Sequence, residues 1–285
     1  MAFEKTTDIK ELRLAANSIR RDIVEMITAA GSGHPAGSLG LADVFSALFF
    51  GVMEHDPQNP GWEGRDRFVL SNGHVCPVLY SALAETGYFP KEELITLRKM
   101  GSRLQGHPHK GALPGIENSS GPLGQGLPIA VGMALVAKRE GRPQRAYCVV
   151  SDGEQQEGQI WEAAMLAAKY KLSNLIVTMD RNYIQIDGST MEVNPLDPIS
   201  DKYRAFNWNV IEVDGHDMEA LLLAYSKAQK EQEKPTMIIA RTVPGKGVPF
   251  MEGLVGWHGK APKEDDAQKA YAALEDERKK ITEGA

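Results

Sequence analysis

The sequence predicts an α/β domain built on a doubly wound parallel sheet with helices on both faces. Three observations carry this. Apolar runs such as Cys148-Val-Val150 and Leu175-Ile-Val177 are unbroken, as in strands buried on both sides. They alternate with stretches of helical periodicity. Polar loops, several of them rich in glycine, follow the strand ends. The chain has 285 residues, 42% apolar and 25% charged, which is ordinary globular usage and enough to bury a substantial core.

The elements follow in order. Leu12, Ala16, Ile19, Ile23 and Ile27 recur three or four residues apart, so residues 8–30 form an amphipathic helix. Gly31 to Gly37 breaks it, and Leu39–Phe50 reads as a second, more buried helix. Arg67–Leu70 is a short strand that stops at Ser71-Asn-Gly-His74. Residues 101–126 form a Gly/Pro-rich loop, and loops of that length in a compact domain are usually functional. Helices are then expected at Leu127–Arg139, Ile160–Tyr170 and Met218–Gln232. Strands are expected at Ala146–Val150, Leu175–Met179, Val210–Val213 and Thr236–Ala240. A main domain of residues 1–262 is followed by a charged, Ala-rich tail, Lys263–Ala285, that reads as a surface helix.

Charge and cysteine content narrow the function. With 38 acidic and 32 basic residues the net charge is -6, which lacks the basic field that nucleic acid requires. Cys76 and Cys148 make no disulfide framework and read as buried small apolar residues in a reducing compartment. The start, MAFEKTTDIKELR, is charged and lacks the apolar core of a signal peptide. No apolar run approaches the roughly 18 residues that span a bilayer. The expectation is a soluble cytoplasmic protein with no nucleic-acid or membrane partner.

The most informative stretch is Val149-Val-Ser-Asp-Gly-Glu154, with Met179-Asp-Arg-Asn182 further on. Each starts at the end of an apolar strand. Thirty residues separate Asp152 from Asn182, the length of one strand–helix–strand crossover with its turns. Adjacent parallel strands would then present a carboxylate and a carboxamide oxygen at one sheet edge, where ligands of such sheets bind. Hard oxygen donors suit Mg²⁺ or Ca²⁺, and Mg²⁺ commonly completes its shell with phosphate oxygens. Gly153 would let a backbone approach a diphosphate closely. Singly, an Asp-Gly turn or a strand-end Asn is commonplace; the spacing gives the pair its meaning.

These residues resemble the metal–diphosphate motif of thiamine diphosphate enzymes, and further segments resemble transketolase in particular. They are Gly33-His-Pro-Ala-Gly-Ser38, Ser71-Asn-Gly-His74, Gly106-His-Pro108, Ser120-Gly-Pro-Leu-Gly-Gln-Gly126, Glu157-Gly with Glu162-Ala, Asn182-Tyr-Ile-Gln-Ile-Asp-Gly188 and Trp257-His-Gly259. They stand in family order over about residues 15–260. The resemblance implies a thiamine diphosphate-binding fold in which Asp152, the Asn182 side chain and the Ile184 backbone carbonyl ligate Mg²⁺, with Ca²⁺ or Mn²⁺ as substitutes. It places Gly153 and His258 at the diphosphate, and Gly121, Leu123 and Gly124 around the cofactor. It sets His34, His74 and His107 along a substrate channel, with His74 also touching the cofactor. Glu157 and Glu162 would lie at the interface between subunits. Four of the seven histidines thus fall in loops with Gly or Pro beside them. Imidazoles titrate near neutrality and can relay the protons that transfer of a two-carbon ketol unit between sugar phosphates requires.

Two departures from the family pattern are Ser151, where glycine is common, and Arg181 beside Asn182. A larger one is length. Family members are more than twice as long, and their second half holds a pyrimidine-binding domain, whose glutamate activates the cofactor, and a C-terminal domain. The resemblance therefore implies the N-terminal subunit of a split transketolase with a C-terminal partner subunit, in an α2β2 heterotetramer. The alternatives are a fragment of a longer enzyme, a subunit of another thiamine diphosphate enzyme, a transketolase for an unusual sugar and a non-catalytic cofactor-binding subunit.

Overall fold

The computed structural model describes residues 4–186 and 188–284. Asp187 in the Asn182–Gly188 motif and Ala285 at the tail end lie outside the described residues. The first helix, α1 (Ile9–Ala30), starts where the Asp8 carboxylate accepts from Glu11 N–H and ends at Gly31 in a left-handed conformation, φ 65°. The expected Leu39–Phe50 helix is instead three pieces: α2 (Pro35–Gly40), α3 (Ala42–Ser46) and a π-helical segment Ala47–Val52. The first break falls at Leu41, whose ψ of -2° leaves the helical run. There Gly40 lies so near the Val243 carbonyl that a Cβ would sit 3.0 Å from it.

Strand β1 (Arg67–Leu70) leads into α4 (Cys76–Glu85). After the long loop come α5 (Gly126–Arg139), β2 (Ala146–Ser151), α6 (Gly158–Lys169) and β3 (Leu175–Arg181). A small hairpin, β4 (Ile184–Gln185) and β5 (Gly188–Ser189), precedes the short helices α7 (Thr190–Val193) and α8 (Ile199–Ala205). The chain closes with β6 (Asn209–Asp214), α9 (Met218–Lys230), β7 (Thr236–Arg241) and α10 (Glu264–Glu283).

The main sheet has the order β1-β2-β3-β7-β6, every pair parallel. Chain order reverses between β3 and β7, the kind of switch point where such sheets bind ligands at the carboxyl ends. Strand residues alternate between two cores. Phe68, Leu70, Tyr147, Val149, Ile176 and Ile238 face α1, α3, α4 and α9, while Val69, Cys148, Val150, Val177, Met179 and Ile239 face α5 and α6. Both faces are covered, so the strands read as unbroken apolar runs. The tail helix α10 lies on α1, burying Ala267, Ala270, Leu274 and Ile281. Asn17 Nδ2 donates to the Leu274 carbonyl there at 3.0 Å. Cys76 and Cys148 are free and buried. Among the described residues no helix is long and apolar enough to cross a membrane.

Candidate functional site

The parallel register pairs Ser151 with Asp180, so Asp152 and Asn182 emerge from adjacent strands at one edge of the sheet. Asp152 is fully buried. Its Oδ1 accepts from Gly153 N–H at 2.7 Å, and its Oδ2 from Tyr183 N–H at 2.7 Å and Arg181 Nη1 at 3.1 Å. Burial pushes the carboxyl up to about 6, although Arg181 and these donors pull it down. Asn182 is oriented from both sides. Its Nδ2 donates to Asp180 Oδ2 at 2.8 Å, and its Oδ1 accepts from Ile184 N–H at 2.8 Å. Asp180 is buried and pushed up to about 7 by that burial, and also takes the Thr242 hydroxyl. The β4–β5 hairpin fixes Ile184 opposite Ser189.

A second knot ties three loops together. Glu154, fully buried, accepts from the Ser71 hydroxyl, from Gly124 N–H at 2.5 Å and from Ser151 N–H at 3.1 Å. Ser71 Oγ in turn accepts from Gly126 N–H at 3.0 Å, which seats the start of α5 against the end of β1. Gly124 has φ 81°, and Leu123 O takes Gln159 Nε2 at 3.0 Å. Burial raises the Glu154 carboxyl above its usual range.

Beside these lies a triangle of imidazoles. Ring centroids of His34 and His74 are 5.2 Å apart, of His34 and His258 5.6 Å, and of His74 and His258 5.5 Å. His107 lies against Gly121, where a Cβ would be 3.7 Å from the ring. Burial, with the neighbouring rings, lowers His74 to about 3 and His34 to about 4; burial also lowers His107 and His258. These shifts favour the neutral rings at pH 7, each with one nitrogen that donates and one that accepts. His34 Nδ1, both polar atoms of the Asn72 amide and Ser120 Oγ are buried with no hydrogen-bond partner among the described residues. Orphaned polar atoms gathered in one place point to a polar ligand.

The depressed histidines set a pH dependence. The unfolded rings bind protons near 6.5 and the folded ones only near 3 to 4, so stability is lost as pH falls through that window. Buried carboxyls raised by burial act in the opposite direction, so the variant comparison isolates the rings. His74→Asn should lose less stability than the parent chain between pH 7.5 and 5, read from urea midpoints. Equal losses would mean that burial does not hold the ring neutral.

Most site residues expected from the sequence converge. His34, His74 and His258 meet, His107 packs on Gly121, and Asp152, Gly153, Asn182 and Ile184 share the ends of β2 and β3. Glu157 and Glu162 are exposed at the start of α6, Glu157 with its Cβ beside Gly124. Glu154, Asp180 and Arg98 escaped the sequence reading. Arg98 has φ 60° and its guanidinium helps depress His34 and His107. With Lys99, Gly106 and His107 it lines a cavity of about 430 Å³. An unusual backbone angle cannot be read from composition, so Arg98 carried no signal.

The donor set fits a hard divalent cation. A carboxylate has about four acceptor positions and a carboxamide oxygen two, so Asp152 and Asn182 Oδ1 each keep capacity beyond their present bonds. Among the described residues no three His, Cys, Asp or Glu gather as a metal cluster. A site of one carboxylate, one carboxamide and one main-chain carbonyl is not such a cluster.

Oxygen donors after adjacent strands of a doubly wound parallel sheet, with orphaned polar groups beside a histidine cluster, mark the chain as an α/β domain with a polar ligand site at the strand ends. The family described as the transketolase thiamine diphosphate-binding domain matches residues 12–281. The 6-deoxy-6-sulfo-D-fructose transketolase subunit of Clostridium sp. (strain MSTE9) is 46% identical over 267 residues, 94% of this chain and 97% of that one. An apulose-4-phosphate transketolase subunit of Phocaeicola vulgatus is 38% identical, covering 96% and 97%. Transketolase of Campylobacter jejuni superposes with a TM-score of 0.89 at 34% identity, and this chain spans 96% of its own length but 46% of that one. The chain belongs to the transketolase family and comprises its thiamine diphosphate-binding domain.

Proposed function

We propose that this chain is the N-terminal, diphosphate-binding subunit of a split transketolase, moving a two-carbon ketol unit from a ketose donor to an aldose acceptor. The observation that carries this is coverage. Two proteins named as transketolase subunits are matched over 97% of their length, whereas the Campylobacter enzyme is matched over 46%. The pyrimidine-binding and C-terminal domains would be supplied by a partner subunit. Exposed apolar side chains on α5 and α6, namely Ile129, Val136, Met165 and Leu166, support a further proposal, that these helices form the centre of an α2β2 assembly. Glu157 and Glu162 border that face.

In this reading Asp152, Asn182 Oδ1 and the Ile184 carbonyl hold Mg²⁺, with Gly153 and His258 at the diphosphate and Gly121, Leu123 and Gly124 around the cofactor. Thiamine diphosphate, when bound, supplies the carbon nucleophile and the electron sink. The histidines do the rest. Neutral His34, His74 and His107 accept a hydroxyl proton from the donor as its carbon–carbon bond breaks and return one to the acceptor. Cytoplasmic location belongs to the same proposal.

The test is ketol transfer with thiamine diphosphate and Mg²⁺, by this chain alone and with the protein encoded beside it. The donor panel includes xylulose 5-phosphate, a sulfonated ketose and a 2-oxo acid. Both relatives are named for unusual sugars, which is why the panel is broad. Silence alone and ketose-dependent transfer together is the expected result. Activity alone, or turnover only with the 2-oxo acid, would overturn it.

A further inference from the structure

Arg181, the departure beside Asn182, is one of the largest fully buried side chains, with 2% exposure. Its guanidinium faces two carboxylates at once. Nη1 donates to Asp152 Oδ2 at 3.1 Å and to Thr190 Oγ1 at 3.2 Å, while Nη2 donates to Asp197 Oδ2 at 2.9 Å. Its flat face lies over the Tyr183 ring, 4.0 Å from the centroid. Tyr183 has φ 62°, a conformation disfavoured for a bulky residue, and is held there by its N–H bond to Asp152 and by Thr190 N–H, which donates to its carbonyl at 3.0 Å. One cation thus joins the end of β2 to both ends of the segment 183–197. That segment carries Ile184, and Gln185, whose side chain packs 3.1 Å from a Cβ built on Gly153.

We propose that Arg181 is a positioning residue that clamps segment 183–197 onto Asp152, setting the Ile184 carbonyl and the Asn182 side chain against the carboxylate before cofactor arrives. This rests on the metal–diphosphate reading above. A planar fork is needed, because the two carboxylates are met from different nitrogens, Asp152 with the Thr190 hydroxyl from Nη1 and Asp197 from Nη2. Lysine offers a single point charge and cannot span them. Asp197 is the solvent-facing half of the clamp, its side chain 45% exposed against none for Asp152.

The test compares the full chain with Asp197→Asn, Arg181→Lys and Arg181→Met. One readout is cleavage after Glu192 by a glutamate-specific protease without cofactor. The other is thiamine diphosphate affinity at saturating Mg²⁺, from quenching of intrinsic fluorescence. Asp197→Asn should be cut at Glu192 several-fold faster and bind cofactor about tenfold more weakly, with cleavage elsewhere unchanged. Arg181→Lys should lose protection as Asp197→Asn does but keep more affinity than Arg181→Met. Unchanged cleavage and affinity in Asp197→Asn would overturn the clamp, as would faster cleavage spread over the whole chain. Should Arg181→Met not fold, Asp197→Asn decides alone. Cofactor affinity of the parent chain with and without Mg²⁺ separates the two ideas. Independence from Mg²⁺ sinks the metal reading, while the protease pattern still decides whether the clamp exists.

Discussion

Asp152→Ala is expected to abolish metal-dependent thiamine diphosphate binding while leaving the chain folded. Loss of groups that merely orient a metal ligand costs about 10- to 100-fold in affinity, so loss of the carboxylate itself should exceed about a hundredfold. The fold survives for a stated reason. Removing one member of a buried ion pair costs about 3–5 kcal/mol when the other is left unpaired, but Arg181 keeps Asp197 at 2.9 Å. The Tyr183 and Gly153 N–H groups both lose their acceptor, at up to about 1–3 kcal/mol each and less where water reaches them, since both lie partly exposed. Asp152→Asn should fold more stably than Asp152→Ala, since its amide oxygen can still take the Tyr183 N–H, yet bind metal poorly. The buried carboxyl sits at about 6 without metal. A metal ligand must shed its proton, so cofactor affinity of the parent chain should fall as pH drops through that value. Circular dichroism and a melting curve report the fold, and titration with cofactor at fixed Mg²⁺ reports the site. Parent-like affinity in a folded Asp152→Ala chain would remove the metal assignment.

What the sequence could say about this molecule followed from periodicity. Strands β2, β3 and β7 are covered on both faces, and their unbroken apolar runs announce that. Helix α4 was invisible for the same reason in reverse. Cys76 to Ala84 are buried all round, so there is no polar face to reveal a helical period. Helices α7 and α8 and the β4–β5 hairpin are too short to hold a pattern. In the site, the Gly-rich loops were legible because each carries several unusual residues at fixed spacing. The groups that hold those loops together were not. Glu154 gathers Ser71, Gly124 and Ser151, which stand 83, 30 and 3 residues from it. Arg181 looked like a mere neighbour of Asn182 until the fold set Asp197 on its far side. Long-range polar pairings of this kind depend on the finished tertiary structure, and one chain read alone gives them no local trace.

Glu154→Ala should be among the most destabilising single substitutions in the chain, and it should weaken the site from a distance. The carboxylate is fully buried and takes two main-chain N–H groups and a hydroxyl. Truncation strands both N–H groups, at about 1–3 kcal/mol each, and leaves a void besides. The Ser71 hydroxyl can turn elsewhere, so it adds less. A total of about 3–5 kcal/mol follows, a drop of roughly 10 °C in melting temperature for a chain of this size. The loop Ser120–Gly126 and the end of β1 would lose their common anchor, so cofactor affinity should fall even at temperatures where the variant stays folded. Glu154→Gln separates charge from shape. It keeps one acceptor oxygen but turns an amide donor toward Ser71, Gly124 or Ser151, so it should lie between parent and alanine variant. The sign of its pH dependence is fixed. Burial raises the carboxyl above 4.5, so the folded state holds that proton more tightly than the unfolded one. The parent's advantage over Glu154→Gln should therefore shrink as pH rises from 4.5. Urea unfolding of the three chains at pH 5 and pH 8 measures both effects. A loss under about 1 kcal/mol in Glu154→Ala, small beside the cost of two stranded N–H groups, would mean that the three loops are held by packing rather than by this carboxylate.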